Sequence, residues 1–118
     1  MVTFVLPMKM IEIRQYIDER GTNHFARWRT KLDPSIKVRI DQAVLRLGDG
    51  LFSNTKPEGE GVSALRIDSG PGYRVYFGKD GETLVLLLAG GTKRRQTEDI
   101  LLSRKLWAEY KRRKSGGR

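Results

Sequence analysis

The hydrophobic period of this chain changes once, and the change divides it in two. From Phe25 to Leu47 the apolar residues recur at helical spacing: Phe25, Trp28 and Leu32, then Ile36, Ile40, Ala43, Val44 and Leu47. From Val62 onward they alternate at period two and end in the continuous run Leu84-Val85-Leu86-Leu87-Leu88. The first spacing is that of helices with one buried face, and the second is that of strands. Between them residues 53–61, SNTKPEGEG, read as a loop from their Pro, Gly and polar content. Helices and strands segregated in this way predict an α+β fold.

Local signals set the boundaries. Met10–Tyr16, MIEIRQY, alternates and is predicted to be a short strand, with Met10, Ile11, Ile13 and the following Ile17 as its apolar members. Met8 and Met10 are alternative starts, so residues 1–9 read as an N-terminal extension. Thr22 or Asn23 is expected to cap the first helix. Asp33-Pro34 opens the second, because proline at the first helical position forfeits no hydrogen bond. Gly48-Asp49-Gly50 ends it, and the two helices are expected to form an antiparallel hairpin.

Strands are predicted over Val62–Asp68, Tyr73–Phe77 and Thr83–Ala89. Tight turns at Ser69–Gly72 and Gly78–Gly81 join them into an antiparallel meander. The apolar run marks the last as a central strand buried on both faces. Gly90-Gly91-Thr92 closes the sheet. A final helix from Gln96 to Arg112 carries Ile100, Leu101, Trp107 and Tyr110 as its apolar members. The expected order is strand-helix-helix-strand-strand-strand-helix, a small antiparallel sheet with the helix hairpin packed on one face. One domain spans residues 1–118, with Lys111–Arg118, KRRKSGGR, as a mobile basic tail.

Composition narrows the chemistry. The 118 residues include no cysteine and one histidine, His24. Disulfide scaffolds, thiolate metal sites and thiol nucleophiles are excluded, and no metal or cofactor is expected. No apolar run approaches the ~20 residues of a membrane span, and no secretory leader is evident, so a cytoplasmic location is expected. The formal net charge is +9, and residues 93–118 carry +7 of it, with ten Lys and Arg against three acids. Such an excess favours nucleic acid, an anionic surface or an acidic protein as partner.

The meander concentrates the candidate site. Alternation sends Tyr73, Val75 and Phe77 to the helix hairpin and leaves Arg74 and Tyr76 on the opposite, open face. Arg66 belongs to that face of the preceding strand, and pairing through the Ser69–Gly72 turn brings it beside Arg74. Lys93-Arg94-Arg95-Gln96 follows the last strand as a cationic rim. Guanidinium groups bind phosphates bidentately, and an exposed tyrosine offers a stacking plane for an unpaired base. Metal-free RNA cleavage needs the 2′-hydroxyl deprotonated, the pentacovalent phosphate stabilised and the 5′-oxygen protonated. Cations supply the second role, and a lysine or tyrosine of lowered pKa the first or third.

These residues carry a resemblance. Leu65-Arg66, the block Gly70-Pro71-Gly72-Tyr73-Arg74-Val75-Tyr76-Phe77, the strand Leu84–Leu88, and Gly90-Gly91-Thr92-Lys93-x-x-Gln96-x-x-Asp99-Ile100 resemble the RelE/ParE toxin superfamily. Within it, the chain is most similar to the HigB-like addiction module killer proteins, the phage Gp49-like branch. The resemblance covers about residues 10–110. It implies a helix hairpin against a small antiparallel sheet, and the toxin half of a type II toxin–antitoxin pair. Most relatives cleave mRNA on the ribosome and so block translation. The implied partners are the ribosome, mRNA and a cognate antitoxin, a HigA-like helix-turn-helix protein through which promoter DNA is reached, and no membrane. Arg66 and Arg74 match the family's phosphate-binding arginines. Lys93 and Arg94 fall in its cationic catalytic loop, with Lys93 as candidate acid or base. Tyr76, Arg95 and Gln96 join the RNA-binding set from the alternation and rim arguments. Two family features are missing. Thr97-Glu98-Asp99-Ile100 holds no base-stacking aromatic, and the C-terminal histidine of many HigB-like relatives is absent. An alternative is therefore a non-enzymatic ParE-like toxin that inhibits DNA gyrase.

Overall fold

The computed structural model describes residues 10–116; the N-terminal extension over 1–9 and the last two residues of the basic tail lie outside them. Five strands and three helices follow in the order β1 (Glu12–Gln15), α1 (His24–Thr30), α2 (Pro34–Gly48), β2 (Thr55–Pro57), β3 (Val62–Ile67), β4 (Tyr73–Asp80), β5 (Leu84–Thr92) and α3 (Gln96–Gly116). A single 3₁₀ turn over Lys93–Arg95 joins β5 to α3. The architecture is α+β, as the period change predicts.

Helix starts follow their capping chemistry. Asn23 caps α1, its side-chain oxygen accepting from the Ala26 amide at 2.9 Å. Asp33 stands at the cap position of α2 with Pro34 in the first turn, but its side chain makes no capping hydrogen bond, so proline rather than the aspartate marks this start. Arg29 of α1 pairs with Asp41 of α2 at 2.5 Å.

The sheet order is β1-β5-β4-β3-β2. It is mixed rather than antiparallel, because β1 pairs with β5 in parallel while the other pairs are antiparallel. The segment expected to be all loop contains β2, an edge strand opposite Ser63–Leu65. Pro57 is compatible with an edge, where an amide donor is dispensable. β4 and β5 are longer than the sequence indicates, because Gly78 in β4 and Gly90 and Gly91 in β5 continue their strands.

The two faces of the sheet hold separate cores. Phe25, Ile40, Leu47, Leu65, Val75, Phe77, Val85 and Leu87 form the face under α1 and α2. Tyr16, Val62, Ala64, Tyr76, Leu86, Leu88, Leu106 and Trp107 form the other, under α3. The second face is thus not open: α3 covers it. Its inward positions include Asp99, Ser103, Leu106 and Trp107, while Leu101 is exposed. Met10 and Ile17 are exposed as well, and Tyr16 takes the buried place near the end of the first strand.

The basic tail is not loose through residue 116. Lys114 bonds Asp80 at 2.7 Å, and the Arg113 guanidinium donates to the Ile17 carbonyl at 2.9 Å. Among the described residues no helix is long and apolar enough to cross a membrane.

Candidate functional site

β3 and β4 run antiparallel with Arg66 opposite Arg74, and Gly91 of β5 lies opposite Arg74 on the other side. Directly opposed residues place their Cβ atoms about 5 Å apart, so the two arginines form one row, as the Ser69–Gly72 turn predicts. The row ends at the 3₁₀ turn. The Lys93 amide donates to the Gly72 carbonyl at 3.0 Å, which ties that turn to the β3–β4 turn. Glycine suits position 72 because its φ is +78°, while the Lys93 stem packs at ordinary contact distance, 3.4 Å from where a Cβ would stand.

The arginines differ in setting. Arg66 is exposed. Arg74 is buried, with its side chain only 9% exposed. Its Nη1 donates to the Tyr73 carbonyl at 3.1 Å and lies 4.0 Å from the Asp68 carboxylate. A guanidinium has five donors, so most of this one's capacity is uncommitted. Lys93, Arg94, Arg95 and Gln96 are all exposed. Arg95 pairs with Glu98 at 3.1 Å, whereas the Lys93 and Arg94 side chains have no ion pair or hydrogen bond among the described residues.

Tyr76 is not a stacking platform. The alternation places it correctly on the face shared with Arg74, but α3 covers that face and Tyr76 is fully buried. Its cross-strand neighbours are Ala64 and Ala89, small enough to seat the phenol beneath the helix. Burial above all, reinforced by the Asp99 and Glu58 charges and opposed by Arg74, pushes its pKa up to about 12. A phenol held this strongly protonated is a poor general base at neutral pH.

Three side chains under the same helix include two that the sequence reading missed, Asp99 and Ser103. The Tyr76 hydroxyl, Asp99 Oδ2 and Ser103 Oγ are buried with no hydrogen-bond partner among the described residues. Asp99 packs against Gly91, where even its Cγ is 2.9 Å from an ideal Cβ at that position. Burial raises the Asp99 pKa above the ordinary carboxylate value, with Arg95 opposing and Glu98 reinforcing. A slip of register between Tyr76 and Phe77 brings this about, since Ala89 opposes Tyr76 while Leu87 opposes Phe77. Leu88 is the extra residue of a β-bulge, which changes the facing of the residues beyond it. Gly90 then lies under Trp28 and Gly91 under Asp99. The spacing Asp99, Ser103, Leu106, Trp107, Tyr110 carries the signal, once an acid is allowed on a buried face.

His24 is engaged elsewhere: its Nε2 lies 2.9 Å from Asp18. Glu60, in the loop after β2, pairs with Arg104 at 3.4 Å. Among the described residues no group of three or more His, Asp or Glu could hold a metal ion.

No family model matches the chain. A protein of Haemophilus influenzae described as uncharacterized is 40% identical over 85 residues, covering 71% of this chain and 86% of that one. The chain belongs to the same family as that Haemophilus influenzae protein.

Proposed function

We propose that this chain is the toxin of a type II toxin–antitoxin pair, of RelE/ParE-like fold and the HigB-like addiction module killer branch. On this reading it cleaves mRNA on the ribosome and is neutralised by a cognate helix-turn-helix antitoxin. One observation carries it: a nine-tenths-buried guanidinium, Arg74, with donors to spare, sits in a row with exposed Arg66 and near Lys93, whose side chain has no partner among the described residues, with Arg94 next in the chain. Fixed cations aimed at one place stabilise a phosphate whose negative charge grows in the transition state.

The chemistry follows from that placement. The 2′-oxygen attacks the adjacent phosphorus, its proton passes to a base, and the bond from phosphorus to the 5′-oxygen breaks as that oxygen gains a proton. Arg66 and Arg74 hold the phosphate oxygens. Lys93 is the candidate for proton transfer, and Arg94, Arg95 and Gln96 hold the flanking backbone.

A second reading has its own support. With Tyr76 buried, the cationic row loses its expected base-stacking aromatic. This favours the non-enzymatic alternative, a ParE-like inhibitor of DNA gyrase. The test is expression of the chain with mRNA 5′ ends mapped on stalled ribosomes. New ends within codons, lost in Lys93→Ala and in Arg74→Lys with unchanged thermal melting, support the nuclease. Arrested growth with no new ends and an accumulation of gyrase-cleaved DNA supports the alternative and sinks the nuclease.

A further inference from the structure

A second group of arginines lies on the other side of the sheet edge. Arg39 and Arg46 of α2, with Gln42 between them, face the end of β3 across a cleft of about 280 Å³. Arg66, Asn54 and Asp68 line it too, with Ala43 and Ile67 as its apolar members. Residues seven apart on a helix share a face and are separated by about 10 Å along its axis. Arg39, Arg46 and Arg66 are exposed, and none of the three guanidiniums makes an ion pair or hydrogen bond among the described residues. Other surface arginines are neutralised where an acid is available: Arg14 by Glu12, Arg29 by Asp41, and Arg95 by Glu98. Among the described residues the one carboxylate lining this cleft, Asp68, is 89% exposed and lies 4.0 Å from Arg74.

Arg66 joins the two groups. By register it belongs to the row with Arg74. By position it passes the end of β2, whose last pair is Thr55 with Leu65, and its amide donates to the Asn54 carbonyl at 3.0 Å. No strand covers its side at the sheet edge, and it lines the α2 cleft. Neighbouring strands lie about 4.8 Å apart, so the row from Gly91 to Arg66 spans about 10 Å. The α2 arginines add a comparable length around the edge.

We propose that the cleft formed by Arg39, Arg46 and Arg66 binds the phosphodiester backbone of single-stranded RNA. It extends the Arg74–Lys93 site into one continuous track for several nucleotides. The proposal rests on the RNA reading of the Arg74–Lys93 site and adds to it a binding segment on α2. Fork-shaped guanidiniums suit phosphate oxygens, and the amides of Gln42 and Asn54 suit sugar hydroxyls. A track of this length fits the roughly 4–16 nucleotides that single-strand binding surfaces accommodate. RNA is favoured over an acidic protein because most of the cleft wall is polar, with guanidinium and amide groups outnumbering its two apolar members, Ala43 and Ile67.

The experiment measures binding of fluorescent oligouridylate, about twelve and about four nucleotides long, by the full chain at a series of salt concentrations. Arg39→Gln/Arg46→Gln is compared with parent and with Arg20→Gln/Arg27→Gln, a charge-matched change outside the cleft. Each lost phosphate contact lowers the slope of log K against log salt by about 0.7. The cleft variant is expected to lose about 1.4 in slope on the long oligonucleotide, a smaller amount on the short one, and nothing in thermal melting. The control pair is expected to keep the slope.

Equal slopes for the cleft variant and parent overturn the cleft while leaving the RNA reading intact. Absence of binding by parent at low salt overturns the track, whereas the ribosome-dependent reading stands or falls with the mapping of mRNA 5′ ends. Loss of binding to a polyglutamate probe with RNA binding unchanged reassigns the cleft to an acidic protein and overturns the proposal.

Discussion

Gly78 in β4 lies beneath the indole of Trp107, and adding one methyl group there tests how tightly α3 is seated. A Cβ at position 78 would stand 2.5 Å from Cζ3 and 2.6 Å from Cδ2 of that ring. Carbon atoms rest comfortably at about 3.5–4.0 Å, so the indole must retreat by about 1 Å. Its retreat is restricted, because Nε1 already crowds Gly61 and Tyr110 stacks on the ring with centroids 5.2 Å apart. Overpacking of this kind costs about 2–3 kcal/mol. The opposite sign would hold without the clash: glycine to alanine in a strand of ordinary backbone conformation stabilises by about 0.5–1 kcal/mol. Gly78→Ala is therefore expected to lower the urea midpoint at constant m, and to lower Tm by about 10 °C. In a Trp107→Leu background the same change is expected to be neutral or stabilising. A neutral Gly78→Ala in the parent, or an equal cost in both backgrounds, would refute the packing argument.

Two further outcomes concern buried and capping groups. Asp99 has a folded pKa raised by burial, so its contribution to stability is fully present below the unfolded value and is lost as pH rises through the folded one. Asp99→Asn is expected to be more stable than the parent at neutral pH and to flatten the decline measured by denaturation as pH rises above the ordinary carboxylate value; an unchanged pH profile would count against it. Asn23→Ala removes the 2.9 Å cap of α1 and is expected to cost about 1 kcal/mol in urea unfolding, whereas a loss under a few tenths would show that the cap contributes little.

Much of the fold is legible because it rests on local periodicity. Phe25, Ile40 and Leu47 on one side and Val75 and Phe77 on the other meet in one core, as their spacings predict. Arg66 meets Arg74 because a tight turn fixes register. Features decided by distant partners escape a reading of this kind. The parallel pairing of β1 with β5 joins residues about seventy positions apart and leaves no local mark. The bulge at Leu88 is invisible in a run of five apolar residues, yet it decides that Gly91 faces α3. Tyr76 is buried because alanines flank it on both neighbouring strands and a helix lies above, and alternation alone distinguishes two faces without saying which is wet. Asp99 and Ser103 stay hidden because a polar residue on a helix is expected to point outward. Arg39 and Arg46 read as an ordinary solvated face until β3 is set opposite them.

The parallel contact between β1 and β5 also constrains how the molecule comes into being. As the chain leaves the ribosome, Glu12–Gln15 emerges early and must wait for Leu84–Leu87, its neighbour in the sheet. The sheet stays uncovered on one side until α3 emerges after it. Pairings so distant in sequence delay the gain that offsets loop closure, and slow folding accordingly. No N-terminal fragment that stops before β5 holds a complete sheet, and Lys93 and Arg94 are synthesised only after the framework that positions Arg74 is nearly finished. Arg66, Arg74 and Lys93 therefore come together only once β5 and α3 have followed the earlier elements out, when both cores can close.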